Sequence, residues 1–342
     1  MPLQQRTFES RIDYSLLLPV LLLLSIGVTA IYIAVSHDYP NNALQIVGQQ
    51  VAWILLGFLI SFIVMFFNTK FLWIMTPFLY ILGLGLMILP LIFYSESLVA
   101  STGAKNWVAI HGVTLFQPSE FMKISYILML SRVVVKFLQQ NKYYERTLAL
   151  DFFLIVKLAL YTLPVLFLLA LQSDLGTALV FAAIYCGIVL LSGVSWKIIL
   201  PIFLTVSLLF AVFMLIFISD GGRAFLHGLG MPTYQINRIS AWLHPFEYAQ
   251  TITYQQAQGQ IAIGSGGLLG QGFNVSNLLV PVRESDMIFT VIAEDFGFLG
   301  SSLVIVIYLV LIYRMLQITI KSNNQFYTYI STGLIMMLLF HI

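Results

Sequence analysis

Three charged residues lie within otherwise apolar runs, where an isolated charge is energetically costly. Glu120 and Lys123 are three residues apart, on one face of a helix and close enough to form an ion pair. Asp174 follows a break in the hydrophobic pattern at residues 172–173. Together they predict either a polar pocket that opens outward or a buried ion-pair network that fixes helix packing. A buried cation in such a network could also hold a phosphate.

A third carboxylate, Asp286, lies where a polar segment meets the next apolar run, shortly after Arg283 and Glu284. The ordinary role of a carboxylate at this point is a helix cap or a first-turn acid. The functional alternative is a base that reaches the head group of a lipid-linked substrate. Glu294 and Asp295 lie about two to three turns deeper in the run, and we expect them to form structural pairs.

Trp107 is either an aromatic residue at the membrane interface or a surface that stacks on a sugar. Other chemistries lack their motifs, because the histidines form no H-E-x-x-H and there is no Walker or G-x-S-x-G sequence. The glycine-rich residues 264–272 do not have the G-x-G-x-x-G spacing of a nucleotide loop. A net charge of +2 gives no reason to expect nucleic acid as a partner.

The composition requires a membrane. Hydrophobic residues make up 60% of the 342 and charged residues 9%, and the mean hydropathy is +0.94, a balance that is incompatible with a soluble fold of this length. We therefore predict an all-α polytopic membrane protein. Nine apolar runs approach the roughly 20 residues that cross a hydrocarbon core, and the predicted spans are residues 14–35, 46–67, 71–94, 117–138, 150–171, 174–192, 197–218, 286–314 and 326–342.

The distribution of cations orients these spans. With the N-terminus inside, most Lys and Arg residues outside the spans lie at cytoplasmic ends, as the positive-inside rule requires. Two outer segments are then long, residues 95–116 and residues 219–285, and the second is the only extended polar stretch. It forms one large extracellular loop between spans seven and eight. The last run, at about 17 residues, is at the short limit for crossing, which suggests a C-terminal truncation.

Five segments resemble, in order, the signature segments of the SEDS family, the RodA and FtsW proteins of shape, elongation, division and sporulation. They are Gly-Ala-Lys-Asn-Trp at 103–107, Gln-Pro-Ser-Glu at 117–120 with Lys123, Gln-Ser-Asp-Leu-Gly-Thr-Ala at 172–178, Ala-Ile-Gly-Ser-Gly-Gly at 262–267, and Ser-Asp-Met-Ile-Phe at 285–289 with Ala-Glu at 293–294. The resemblance covers nearly the whole chain. Residues 237–281 are most similar to RodA of Gram-positive cocci.

This resemblance implies a single SEDS-type transmembrane domain over residues 1–342, with ten spans in the complete fold. It implies a peptidoglycan glycosyltransferase of the bacterial cytoplasmic membrane, which polymerises lipid II at the outer face during cell elongation and shape maintenance. The expected partner is a class B penicillin-binding protein, the transpeptidase. Asp286 matches the family's essential outer-face aspartate and Trp107 another required residue, and Glu120, Lys123 and Asp174 resemble its polar pocket. The family's usual Pro-Glu-x-His-Thr-Asp-Phe is Pro-Val-Arg-Glu-Ser-Asp-Met at 281–287.

One carboxylate suffices for this reaction, because a pyrophosphate leaves readily without a proton and only the attacking hydroxyl needs a base. We assign Asp286 as that base. Candidates to stabilise the pyrophosphate are Lys105, Lys123, Arg238 and a divalent cation such as Mg²⁺ or Mn²⁺. A lipid II flippase and a non-catalytic scaffold for the transpeptidase are the competing functions. The flippase is disfavoured because the spans on the cytoplasmic side are largely apolar, with Lys157 the main exception.

Overall fold

The computed structural model of the chain describes residues 13–96, 99, 103–110, 113–142, 145–231, 233–251, 253–273, 275 and 280–341. Parts of the two predicted outer segments, and the last residue of the ninth predicted span, lie outside this set. The elements within it are α1 (Tyr14–Asp38), α2 (Ala43–Val64), α3 (Thr69–Ile92), β1 (Val108–Ile110), β2 (Val113–Phe116), α4 (Pro118–Gln140), α5 (Leu148–Leu171), α6 (Leu175–Leu191), α7 (Trp196–Ile218), α8 (Asp220–Gly228), α9 (Thr233–Leu243), α10 (Tyr254–Ser265), α11 (Ile288–Lys321) and α12 (Gln325–His341).

The predicted helical, polytopic membrane architecture is confirmed. Among the described residues, six helices are long and apolar enough to cross a membrane, namely α1, α2, α3, α5, α7 and α11. Helix α6 is apolar but has only 17 residues. Two features were not predicted: β1 and β2 form an antiparallel hairpin within the outer segment 95–116, and residues 219–285 contain the three short helices α8, α9 and α10.

Several helices begin where a polar side chain accepts an otherwise unpaired backbone N–H. Asp13 caps α1 by accepting the N–H of Ser15 at 2.9 Å, and this hydrogen bond lowers the pKa of the exposed Asp13 carboxyl below its ordinary value. Asn68 caps α3 and Thr147 caps α5 in the same way. Helix α4 instead has Pro118 in its first turn, where a backbone N–H would have no acceptor within the helix, so the missing N–H loses no hydrogen bond.

The chain forms two compact units. The first unit consists of Met1–Phe66 and Val206–Arg314, and the second of Phe67–Thr205 and Met315–Ile342.

Helix α4 forms the core of the second unit. Its fully buried residues recur at helical spacing, at Met122, Tyr126, Leu130 and Val134. The Tyr126 hydroxyl lies 2.8 Å from the hydroxyl of Thr162 on α5, so the buried phenol is satisfied inside the core. Glycines allow close approach around this helix, because a Cβ at Gly83 or at Gly333 would collide with α4 side chains.

Helix α11 is interrupted in the first unit. The run between Ile288 and Lys321 contains a non-helical residue, Gly297, at φ 64° and ψ −159°, a backbone region that is essentially restricted to glycine. The predicted eighth span at 286–314 corresponds to this membrane-length run, but Gly297 divides the run into two helical parts. Sequence periodicity cannot reveal such a break, because one glycine leaves the apolar pattern unchanged.

The glycine-rich residues 264–272 satisfy the backbone groups freed by this break. Gln271 N–H donates to Glu294 O at 2.9 Å, and Phe298 N–H donates to Gly267 O at 2.9 Å. A Cβ on Gly270 would lie 2.0 Å from Asp295 O, so a side chain at that position would push the two backbones apart. Irregular backbone at membrane depth is tolerated only where protein supplies such partners. The glycine run is therefore a packing element.

Candidate active site

Asp174 is the centre of a buried polar network in the second unit. Its Oδ1 accepts the N–H of Thr177 at 3.0 Å and so caps α6. Its Oδ2 accepts hydrogen bonds from Asn106 Nδ2 at 2.9 Å, from the Thr177 hydroxyl at 2.9 Å and from Gln117 Nε2 at 3.4 Å. The carboxylate thereby joins the stretch around Asn106 and the start of α4 to the start of α6.

The predicted ion pair on α4 is confirmed. Lys123 Nζ lies 2.9 Å from Glu120 Oε2, with the lysine side chain 3% exposed and the glutamate side chain 61% exposed. The same ammonium lies 3.1 Å from His341 Nε2 on α12. Gln117, which bonds Asp174, directly precedes α4, so the ion pair and Asp174 both lie at the N-terminal end of that helix.

Ser119 occupies the same end of α4 and was not predicted as a site residue. Its hydroxyl is buried and has no hydrogen-bond partner among the described residues. Buried polar atoms are nearly always paired in native structures, so an orphaned hydroxyl beside a polar network indicates a position that a ligand or water can satisfy. Ser119 is part of the Gln-Pro-Ser-Glu segment at 117–120, and that motif is the signal in sequence that could have pointed to it.

Lys105 and Trp107 flank Asn106, whose side chain donates to Asp174. The backbone N–H of Lys105 donates to Gln172 O at 2.8 Å, and its ammonium lies 4.4 Å from the centroid of the Tyr94 ring. This is a cation–π distance. Trp107 is 41% exposed, so a face of the indole is accessible for stacking.

Asp286 lies in the first unit, two residues before α11 begins. Its carboxylate is exposed, and Oδ1 is 3.4 Å from the Ser285 hydroxyl. The first turn of α11, all of whose residues are described, contains no acidic residue, so Asp286 is not a first-turn acid. The exposed position leaves the carboxylate accessible to a hydroxyl from solvent or from a substrate.

The segment that carries Asp286 is anchored by an ion-pair cluster that the sequence analysis identified only in part. Arg283 is 3% exposed; its Nε lies 2.8 Å from Asp38 Oδ2 and its Nη1 lies 3.7 Å from Glu294 Oε2. The predicted pairing role of Glu294 is thus confirmed. Asp38 was missed, since a charge at the end of a span is typical of any membrane helix.

The predicted site residues divide between the two units. The first unit contains Asp286 and the exposed Arg238 of α9. The second unit contains the other five, and brings them together around the beginnings of α4 and α6: Lys105, Trp107, Glu120, Lys123 and Asp174.

The sequence predicted a divalent cation as a candidate stabiliser of the pyrophosphate, and the ligating side chains of the two units bear on whether the protein alone could bind it. Within the described ranges, no group of three or more His, Cys, Asp or Glu side chains is arranged to hold a metal ion. The protein's own residues therefore do not form a resident metal site there.

Fold and site together define a polytopic membrane protein with polar groups at the ends of its spanning helices. The model of the family described as FTSW_RODA_SPOVE, cell cycle protein, matches residues 14–342. The chain belongs to this family, which confirms the resemblance seen in sequence.

Curated relatives include the peptidoglycan glycosyltransferase MrdB of Escherichia coli K12, 28% identical over 99% of this chain and 84% of the relative. A probable peptidoglycan glycosyltransferase FtsW of Lactococcus lactis is also 28% identical, over 94% and 80%. These identities are equal, so the finer assignment to RodA of Gram-positive cocci stays a prediction.

Two solved structures share the fold. One is a chain from a peptidoglycan synthase complex studied for the coordination of polymerization and crosslinking, with a TM-score of 0.72, 23% identity, and coverage of 95% of this chain and 83% of that one. The other is the rod shape determining protein RodA of Thermus thermophilus, with a TM-score of 0.59, 23% identity, and coverage of 95% and 81%.

Proposed function

We propose that this protein is a peptidoglycan glycosyltransferase that polymerises lipid II at the outer face of the bacterial cytoplasmic membrane, with Asp286 as its general base. The observation that carries the assignment is an exposed carboxylate at the edge of a spanning helix, on a segment whose neighbouring residues are held in place. Family membership and the names of the curated relatives support the class of reaction.

The chemistry requires one base. Asp286 accepts the proton of a sugar hydroxyl on one lipid II molecule, and the hydroxyl oxygen attacks the anomeric carbon of a second, lipid-linked molecule. The new glycosidic bond forms as the bond to the pyrophosphate breaks, and the pyrophosphate leaves as an anion on its lipid. General-base assistance of this kind contributes about 10²- to 10⁴-fold to a rate.

Cations stabilise the charge that develops on the leaving group. Lys123 is a weaker candidate than the sequence suggested, because it is buried and paired with Glu120. Lys105 and Arg238 are more accessible, and they are the residues that we propose as pyrophosphate ligands. We also propose that Mg²⁺ or Mn²⁺, bound largely through the substrate's phosphates, supports the reaction; removal of divalent ions by a chelator would then stop polymerisation and their return would restore it.

The sugar-binding surface is proposed to include Trp107, with Glu120, Lys123 and Asp174 lining a polar pocket beside it. The orphaned Ser119 hydroxyl supports this pocket, because a polar ligand would supply the missing hydrogen bond. Nine spans in this chain, with residues 219–285 outside, are proposed from the hydropathy and charge pattern, and the resemblance to the family implies ten spans in its members. A class B penicillin-binding protein is the proposed partner.

The decisive experiment measures glycan strands formed from purified lipid II by the protein in complex with its transpeptidase. Asp286→Asn and Asp286→Ala should lower the rate by about 10²-fold or more, while the matched variant Asp13→Asn, at another exposed aspartate beside a helix, should retain it. Circular dichroism and complex formation confirm that each variant is folded. Polymerisation by either Asp286 variant at the wild-type rate would disprove the role.

The same preparations distinguish the two competing functions. A flippase would move lipid II head groups to the opposite leaflet of a vesicle without forming glycan, and Asp286 substitutions would affect that movement. A scaffold would leave polymerisation intact in the Asp286 variants, whereas substitutions on the lipid-facing surfaces of the spans would dissociate the transpeptidase.

A further inference from the structure

The segment before α11, residues 281–287, is held at both ends by groups from elsewhere in the first unit. At one end, Gln255 Nε2 of α10 donates to Pro281 O at 3.1 Å. At the other end, the terminal methyl of Met287 lies against Gly259 of α10, where any Cβ would come within 2.3 Å of it. Asp286 lies between these two anchors, with its carboxylate exposed.

A third and stronger anchor lies in the middle of the segment. The buried Arg283 guanidinium bridges Asp38, the last residue of α1, and Glu294 of α11. Arginine fits this role because its planar group presents several donors in a fixed geometry, which a lysine cannot reproduce. His37 Nδ1 lies 2.8 Å from the other Asp38 oxygen, so that carboxylate is itself held in place.

The backbone beside this anchor is strained. Val282 has φ 55°, a left-handed conformation that is rare for any non-glycine residue and rarer for a β-branched one. Such a conformation persists only where the surroundings impose it, and strained residues of this kind cluster at functional sites. Val282 is 48% exposed, so burial of its own side chain does not impose this conformation, whereas the adjacent Arg283 is buried and ion-paired.

We propose that Arg283, which is ion-paired with Asp38 and Glu294, is a positioning residue that fixes the carboxylate of Asp286 for proton transfer. We call these three residues the arginine clamp. The inference rests on the proposed role of Asp286 as the base. The clamp holds the backbone three residues before Asp286, and it joins that backbone to α1 and to α11.

Catalysis is sensitive to such positioning, since a displacement of about 1 Å can cost about 10²-fold in rate. Arg283→Gln should therefore lower the kcat of lipid II polymerisation by about 10- to 100-fold, with KM changed less than about twofold, because Asp286 rather than substrate binding is displaced. Asp38→Asn should give a smaller decrease, as Glu294 still engages the guanidinium. The double variant should be no slower than Arg283→Gln alone, because Asp38 acts only through Arg283.

The matched control is the other arginine–aspartate pair, Arg146 with Asp151, at 2.6 Å in the second unit. Arg146→Gln removes the same kind of interaction and should leave kcat per folded molecule within about twofold of wild type. This control separates a loss of positioning from a general loss of stability. Where Arg283→Gln does not fold, Arg283→Lys and Asp38→Asn decide the question by the same split between kcat and KM.

The outcomes separate the clamp from the base. If Asp286→Asn is inactive but the clamp variants keep the wild-type kcat, the positioning role of Arg283 is disproved and the role of Asp286 as the base is retained. Active Asp286→Asn would overturn the base, and with it the clamp. The positioning role would also be disproved if Arg146→Gln lowered kcat as much as Arg283→Gln does. It would be disproved as well if the effects of Arg283→Gln and Asp38→Asn on kcat were additive in the double variant.

Discussion

Among the described residues, an arginine in each unit forms an ion pair that fixes a loop, and the buried groups of the two pairs are satisfied to different degrees. In the second unit, Arg146 donates to Asp151 and, at 2.8 Å, to Ser192 O. The remaining Asp151 oxygen accepts the N–H of Ser195 at 2.8 Å. Every group of this pair that is buried has a partner, and the arginine side chain is 40% exposed to solvent.

The arginine clamp of the first unit is the less satisfied of the two. Arg283 is surrounded by Asp38 and Glu294, and Asp295 follows Glu294 on the same helix. Glu294 Oε1 and Asp295 Oδ2 are buried without a hydrogen-bond partner among the described residues. A partly satisfied network in a low-dielectric region costs stability.

The proposed clamp gives this difference a functional reading. The buried groups of the pair in the second unit are satisfied, and that pair stabilises a connection in the fold. The arginine clamp keeps unsatisfied buried oxygens next to a strained backbone and three residues from the proposed base, a combination expected where a positioning role offsets the cost in stability. The comparison predicts that substitutions in the arginine clamp of the first unit lower both stability and catalysis. Substitutions in the Arg146–Asp151 pair of the second unit should lower stability alone.

The largest expected effect is at the break in α11. Gly297→Ala adds a Cβ that would lie 2.3 Å from Gly270 N, on a backbone with positive φ, and should destabilise the protein by about 3 kcal/mol or more. The control is Gly264→Ala in α10, where a Cβ meets open space. Thermal unfolding followed by circular dichroism in detergent measures both. Equal melting temperatures would show that the break tolerates a side chain.

The pair in the second unit should respond in stability only. Asp151→Ala removes the acceptor of both Arg146 and the Ser195 N–H, and should lower the free energy of unfolding by about 2 kcal/mol. The loss is limited because the partly exposed Arg146 guanidinium can form hydrogen bonds with water instead. Polymerisation per folded molecule should match wild type. A selective decrease in kcat for this variant would remove the distinction between the two pairs.

The smallest effects concern two capping aspartates, one in each unit. Asp174→Asn removes an oxygen that accepts from three side-chain groups, and should cost about 1 kcal/mol. Asp13→Asn keeps a good cap and should change stability by less than about 0.5 kcal/mol. Melting temperatures of the two variants give the comparison, and equal shifts would contradict it.

The Asp13 cap also has a defined pH dependence. Because the hydrogen bond from Ser15 lowers the pKa of this carboxyl in the folded state below its ordinary value, its contribution to stability is present above the pKa of the unfolded chain. It is lost as the pH falls through the lower folded pKa. The melting temperatures of wild type and Asp13→Asn should therefore converge at acid pH.

The sequence predicted the helical membrane architecture because lipid exposure imposes long apolar runs that nothing else explains. It also predicted the Glu120–Lys123 pair, since spacing along one helix fixes that distance. The partners of Asp174 were not predictable, because Asn106 and Gln117 are distant in sequence from it and are brought close only by packing. The hairpin of β1 and β2 was missed because its strands have only three and four residues, although the sequence between them contains a glycine at position 112.

Asp286 was identified from its place at the end of a polar segment, and that placement is a property of the sequence alone. What holds the segment in place was decided by tertiary structure. Arg283 could have formed an ion pair with any nearby carboxylate, and only the packing of α1 against residues 281–294 selects Asp38, 245 positions away. Hydropathy fixes which residues enter the membrane, whereas the choice of partner for a buried charge depends on which helices meet.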